Sequence, residues 1–197
     1  MDAVQRAAEW AGLALDDDMV HLLGRFEEWL RDEAVPAGAL GPAEVDRIGR
    51  RHVADSLCFA SAWRGLPPER LADVGSGAGL PGLPLAITHP RVPVTLIERA
   101  GRRVTLLRRA IRVLGLDNVD VVSDDLDRVE SRWPVVVSRA TIPWSQADRL
   151  IRLLERPGTL VLGGSHLARP QVTGFQVIDI PPEILASPAW LLTMARP

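Results

Sequence analysis

Seven residues, Asp73-Val74-Gly75-Ser76-Gly77-Ala78-Gly79, constrain the fold of this 197-residue chain more than any other segment. They continue the strand-like run Leu71–Val74 and lead through Leu80-Pro81-Gly82 into a Pro-initiated helix. Glycine has three uses between a strand and a helix: positive φ, a close backbone approach to a ligand, and tight strand–helix contact. Pro81 and Pro84 suit the first turn of a helix, where no amide hydrogen is needed. A glycine triplet alone is explained by a structural turn, so the residues around it decide its meaning.

Glu98 ends the second strand-like run, 19 residues beyond Gly79. An acid there accepts hydrogen bonds from both hydroxyls of a ribose. Its alternative use is to cap a helix starting near Gly101. Gly77, Gly79 and Gly82 also satisfy the dinucleotide pattern G-x-G-x-x-G, so two cofactor classes fit the spacing. Asp73 favours one of them. A carboxylate just ahead of the loop repels a pyrophosphate but suits the amino-acid moiety of S-adenosylmethionine. The expectation is S-adenosylmethionine, with a nicotinamide-dependent oxidoreductase as the remote alternative.

The pattern around the loop points to one α/β domain. Before about residue 65 the apolar spacing is helical: Met19, Val20, Leu22, Leu23, Phe26, Trp29 and Leu30 follow the acids Asp16, Asp17 and Asp18, which suit an N-cap and first turn. A Pro/Gly-rich connection, Val35 to Pro42, ends that helix, and a second is expected with Val45, Ile48, Val53, Leu57 and Ala60 on its buried face. From residue 70 strands alternate with helices. The strand runs are Leu71–Val74, Val94–Glu98, Val119–Val122, Val135–Ser138, Thr159–Leu162, Phe175–Ile180 and Trp190–Met194, and the helices fall near 81–89, 100–114 and 144–155. This alternation predicts a mostly parallel seven-stranded sheet with helices on both faces, closed by an antiparallel hairpin at one edge. Residues 1–66 then form a helical extension packed on a core of residues 67–197.

Charge is unevenly spread. All 23 basic residues are Arg, and the net charge is −2. Residues 1–46 carry 3 Arg against 11 acids, whereas residues 47–112 carry 12 Arg against 4 acids. The chain therefore either presents a cationic face or neutralises its first two segments against each other. Cys58 is the single cysteine, which excludes an internal disulfide and fits a reducing compartment. The N-terminus lacks a basic-then-apolar layout and no apolar run reaches membrane-spanning length, so a cytoplasmic location is expected, with no membrane partner and no metal.

Across most of its length the chain resembles the RsmG (GidB) methyltransferases. The matching pieces are Gly41-Pro42-x-Glu44-Val45, Arg51-His52, the run from Asp73 to Ile87, Leu96-Ile97-Glu98, Arg102-Arg103 with Leu107-Arg108, Leu116-x-Asn118-Val119 and Ser138-Arg139-Ala140. The Leu-Pro-Gly-Leu-Pro-Leu tail at residues 80–85 is the most specific of them, and the Gly-Pro-x-Glu-Val piece looks like the actinobacterial branch. The resemblance implies a Rossmann-like class I fold and methyl transfer from S-adenosylmethionine to N7 of a guanine in small-subunit (16S) ribosomal RNA by a monomer acting on that RNA or the 30S subunit. It implies that Asp73, Gly75, Gly77, Gly79 and Leu80 line the cofactor pocket, that Glu98 holds the ribose, and that Leu126 and Asp127 edge the adenine. Arg139 stands at the mouth of the site, as both a cofactor-side and the catalytic residue, and Arg51 and His52 lie near cofactor or RNA. A buried His52 that joins two helices is the other reading of that residue.

Guanine N7 has an available lone pair and the sulfonium methyl is activated by its own charge, so the chemistry asks for alignment rather than a general base. Arg102, Arg103 and Arg108, with Arg99, Arg109 and Arg112, give an Arg-rich helix suited to phosphate contacts, or a solvated face paired with acids. Trp144 suits stacking on a base or packing in the core. Two departures remove positive charge from the substrate side: Gly163-Gly164 stands where the family carries Lys-Gly, and Asp125 where it carries Arg. A diverged methyltransferase with another substrate, or a cofactor-binding protein without turnover, is the alternative they leave open.

Overall fold

Strand β1, Leu71–Val74, is buried along its whole length, which requires cover on both faces of the sheet it joins. It pairs in parallel with β2, Val94–Ile97, on one side and with β4, Trp133–Arg139, on the other. Strand β3, Val119–Val122, extends the parallel ladder beyond β2, and β5, Leu154–Ser165, extends it beyond β4. Strand β7, Ala189–Arg196, runs antiparallel between β5 and β6, Gln176–Ile180. In this computed structural model, which describes residues 2–139, 142–165, 173–185 and 189–197, the strand order is β3-β2-β1-β4-β5-β7-β6. The seven-stranded, mostly parallel sheet expected from the sequence is present, and it is the class I methyltransferase arrangement.

Side chains alternate between the two faces, except at a ladder irregularity between Trp133 and Val135. Leu71, Leu96, Val135, Val137 and Val161 enter one apolar cluster, and Ala72, Val74, Ile97, Val136, Leu160 and Leu162 the other. The first face carries most of the helices: α1 (Ala3–Ala11), α2 (Asp17–Trp29), α3 (Ala54–Cys58), α4 (Gly82–Thr88) and α5 (Gly101–Leu114). The second is covered by α6, Asp148–Ile151, and by the turn Leu126–Arg128. As the acidic triplet predicts, Asp16 caps α2, its carboxylate accepting from the Met19 N–H at 2.8 Å. The helix widens into a π-type turn, Leu30–Ala34, and Phe26, Trp29 and Leu30 are buried in the same cluster as Leu57, Phe59, Leu83 and Leu96. Val20, placed on the apolar stripe by its spacing, is 50% exposed.

The second N-terminal helix is less regular than its spacing suggests. A 3-10 turn, Pro42–Arg47, and a π-type turn, Ile48–Val53, precede α3, and a further 3-10 turn, Phe59–Trp63, follows it. Ile48, Val53, Leu57 and Ala60 are buried as expected, while Val45 is only partly so. The helix expected near 144–155 stops at Ile151, because Leu154 instead pairs with Trp133 and opens β5. Pro157 favours that outcome: it lacks an N–H and pushes the preceding residue towards extended backbone. A short helix, α7 (Pro182–Leu185), lies between β6 and β7, so the closing strands are not a simple hairpin. Among the described residues no helix is long and apolar enough to cross a membrane.

Candidate functional site

The strand order reverses between β1 and β4, and a sheet of this kind opens a crevice beyond its strands' carboxyl ends at such a point. The Gly-rich loop lies there. Gly75, Gly77 and Gly79 have φ of +75°, +58° and +89°, in the left-handed region that L side chains rarely adopt. The turn is pinned from both sides. The Gly75 N–H donates to the Ile97 carbonyl at 2.8 Å, the Gly77 N–H to Glu98 Oε2 at 3.1 Å, and the Leu80 N–H to the Ser76 carbonyl at 3.0 Å.

Asp73 supports this loop from behind. It is wholly buried, and its Oδ2 accepts the Gly82 N–H at 2.9 Å. Burial pushes its pKa up to about 7, against the lowering effect of the hydrogen bonds from Gly82 and Ser76. Its other oxygen, Oδ1, is buried with no hydrogen-bond partner. Gly82 has to be glycine here, since a Cβ would sit 2.3 Å from Leu96 Cδ2 and 2.7 Å from Asp73 Oδ2. Neither Asp73 nor Gly79 lines the cavities described next; Gly79 faces the Leu83 side chain.

Two cavities meet at the loop, sharing Gly75 and Arg103. One, about 390 Å³, is bounded by Val74, Ile97, Glu98, Leu126, Ile142 and the acids Asp124 and Asp125. The other, about 430 Å³, runs along the loop to Leu80 and is bounded by Leu40, Arg51, His52, Asp55, Arg139 and Gly163. Glu98, 5% exposed, stands in the first with Oε1 accepting the Ala100 N–H at 2.9 Å. It therefore ties the loop to the start of α5 while facing the cavity. Arg103 occupies the stripe of α5 that Leu107, Ala110 and Leu114 bury farther along; its half-exposed side chain borders both cavities, with Nη1 3.9 Å from Glu98 Oε2.

The structure brings Arg139, His52 and Arg51 together in the second cavity. Arg139 Nη1 donates to Asp55 Oδ2 at 3.1 Å and to the His52 carbonyl at 3.4 Å. His52 Nε2 lies 3.0 Å from Glu44 Oε2, and Arg51 Nε 3.8 Å from the same carboxylate oxygen. Burial, then the neighbouring Arg139, hold the His52 pKa below the usual imidazole value, with Glu44 opposing. His52 thus both lines the cavity and holds Glu44, of the Pro42–Arg47 turn, against its own Ile48–Val53 turn. Asp55 was not singled out from the sequence, because its partner Arg139 lies 84 residues away. The motif residue Glu44 was visible, and its ionic contacts were not.

Other expected residues lie farther out. Leu126 lines the first cavity, whereas Asp127 does not: it is exposed and paired with Arg149 at 2.8 Å. Asp125, in the place of a family Arg, sits between two guanidiniums, Arg99 at 3.4 Å and Arg149 at 4.0 Å. Arg102 and Arg108 are exposed on the outer face of α5 and do not touch either cavity. The side chain of Trp144, and Ala140 of the Ser-Arg-Ala motif, lie outside the described residues. Among the described residues no group of three His, Cys, Asp or Glu is placed to hold a metal ion.

A family model described as rRNA small subunit methyltransferase G matches residues 20–168. The chain is 40% identical over 142 residues to a ribosomal RNA small subunit methyltransferase G from Acidothermus cellulolyticus, covering 72% of this chain and 63% of that one. It is 39% identical over 156 residues to the Mycobacterium leprae protein of the same name, covering 75% and 62%. This chain thus spans about three fifths of the length of these relatives. Among solved structures, it is similar to an MtNAS variant in complex with S-adenosylmethionine (TM-score 0.59, 19% identity, 90% of this chain and 73% of that one). It is also similar to a precorrin methyltransferase from Geobacter metallireducens (TM-score 0.54, 16% identity, 72% and 87%). At such identities these two likenesses concern the fold.

Proposed function

Because the chain belongs to the rRNA small subunit methyltransferase G family, we propose that it transfers a methyl group from S-adenosylmethionine to N7 of a guanine in small-subunit ribosomal RNA. The observation that carries the reading is the pair of cavities meeting at Gly75 and Arg103, which gives a cofactor and an acceptor base adjoining sites. The residues present fit the cofactor. Glu98 is a buried carboxylate for the ribose hydroxyls, Val74, Ile97 and Leu126 are apolar walls for the adenine, and the backbone at Gly75 and Gly77 stays bare for the amino-acid portion. Asp73 acts from behind, fixing the loop through Gly82.

Bound S-adenosylmethionine supplies an electrophilic methyl group on a positively charged sulfur. The work left to the chain is alignment, since the N7 lone pair needs no base to expose it. Arg139, anchored by Asp55 and the His52 carbonyl, is placed to hold O6 of the guanine or a phosphate beside it. Arg103 reaches both cavities and is suited to the phosphate side. In this reading residues 1–66 are a helical extension of a core formed by residues 67–197, and the protein acts in the cytoplasm as a monomer on the 30S subunit or its RNA.

The test is transfer of labelled methyl from S-adenosylmethionine to small subunits that lack the modification, with the product mapped by position. Label at a guanine N7 is the expected result; tight cofactor binding without transfer would overturn the activity. Glu98→Ala is expected to weaken S-adenosylhomocysteine binding by about ten- to a hundredfold in calorimetry, the worth of hydrogen bonds to a charged group. Preference for a nicotinamide dinucleotide over S-adenosylhomocysteine would refute the cofactor assignment.

A further inference from the structure

We propose that Asp55 reads the target base: its carboxylate accepts hydrogen bonds from N1–H and the exocyclic amino group of guanine, and so selects guanine over adenine. The inference rests on the methyltransferase reading and deepens it to the recognition of the acceptor.

The cavity of about 430 Å³ falls in the range that small ligands occupy. Its walls carry three guanidiniums, those of Arg51, Arg103 and Arg139, and among the described residues lining it Asp55 is the one carboxylate. Glu44 stands behind His52 and does not line it. The side chain of Asp55 is 16% exposed, so it is accessible from the cavity yet shielded from bulk water. Its backbone is rigid, because the residues that follow it, Leu57, Cys58 and Phe59, are fully buried. A carboxylate offers about four acceptor directions, and Arg139 Nη1 takes one of them at Oδ2.

The shape of guanine does the rest. N7 has to face the cofactor cavity, across the loop at Gly75. N1–H and the 2-amino group lie on the opposite edge of the purine, and so turn towards the helical wall that carries Asp55. Two parallel donors meet one carboxylate there. Adenine offers a lone pair at N1 in place of a donor, which a carboxylate repels. A site built to accept such hydrogen bonds rejects analogues that lack them far better than an apolar pocket rejects an isostere. Ala39 and Leu40 supply apolar surface for the face of the ring.

The experiment compares reconstituted small subunits carrying guanine or inosine at the methylated position. Inosine keeps N7, O6 and N1–H and lacks only the 2-amino group. The wild-type protein is expected to show kcat/KM about ten- to a hundredfold lower on inosine, the range for a lost hydrogen bond to a charged group. Asp55→Asn, which keeps the side chain's size, is expected to bring the two rates within about threefold while S-adenosylhomocysteine affinity stays unchanged. Equal rates on guanine and inosine with the wild-type protein would overturn the inference, and that comparison needs no variant. An unaltered ratio in Asp55→Asn, with both rates lowered together, would also overturn it and assign Asp55 to holding Arg139. Absence of transfer to either subunit by wild-type protein that binds S-adenosylhomocysteine would remove the methyltransferase reading itself, and the inference with it.

Discussion

Phe59 fills the space that a side chain at position 163 would need. A Cβ there would come within 2.4 Å of the Phe59 ring, which is fully buried. The missing family Lys and the position of Phe59 are therefore one feature. Gly163→Ala is expected to lower stability by about 1–3 kcal/mol, the usual cost of overpacking, seen as a lower urea midpoint at unchanged m. A midpoint equal to the wild type's would show that the ring moves freely. The departure at 163 was legible in the sequence, but Phe59 was not, since nothing local joins positions 104 apart. Asp73 offers a second test. Its pKa in the folded chain is about 7, well above the value near 3.8 for an unperturbed carboxyl, so the folded state holds the proton more tightly. Its contribution to stability is greatest below the unfolded pKa and is lost as pH rises towards about 7. Urea titrations should show wild type losing up to about 4 kcal/mol relative to Asp73→Asn between pH 4 and pH 8. A constant difference would mean that Asp73 is ionised throughout.

At the level of the element, α5 is two surfaces on one helix. Leu107, Ala110 and Leu114 pack inward, and Arg102, Arg108 and Arg112 face solvent. Among the described residues these three arginines have no ion-pair partner, whereas Arg109 is held by Glu33 at 2.6 Å and Arg99 by Asp125. If the outer stripe meets RNA phosphates, replacing Arg102, Arg108 and Arg112 by Ala should flatten the slope of log affinity against log salt by about 2 to 3. Filter binding at several salt concentrations measures it, with S-adenosylhomocysteine affinity as the control; an unaltered slope would leave the stripe solvated and idle. The helix and its arginine content were plain from spacing. Which arginines are paired was not, because the acids that hold them lie on other elements. A different ambiguity hid the start of β5: Leu150, Ile151, Leu153 and Leu154 read as a helical stripe, yet only the first two belong to α6.

For the whole molecule, the acidic first segment and the basic middle one meet in part. Helix α2 contacts both α4 and α5, the Glu33–Arg109 pair crosses between the segments, and Arg25 reaches the Val113 carbonyl. One apolar cluster includes Ala7, Phe26 and Leu57 from the N-terminal helices together with Leu83, Leu96 and Leu107 beside the sheet. Tryptophans in the helical part (Trp10, Trp29, Trp63) and in the sheet (Trp133, Trp190) should accordingly report the same transition as far-ultraviolet circular dichroism. Two separated midpoints would show that the N-terminal helices unfold alone. The parallel sheet was legible from strand–helix alternation, but the place of β7 between β5 and β6 depends on contacts that no local pattern encodes. That place sets an order of assembly during synthesis. Strands β1 to β5 can pair as they emerge, but β6 leaves the ribosome before β7, the strand it pairs with, has been made. The edge of β5 also stays open through that interval, and a nascent chain stalled between residues 180 and 189 would present it as a template for unwanted pairing.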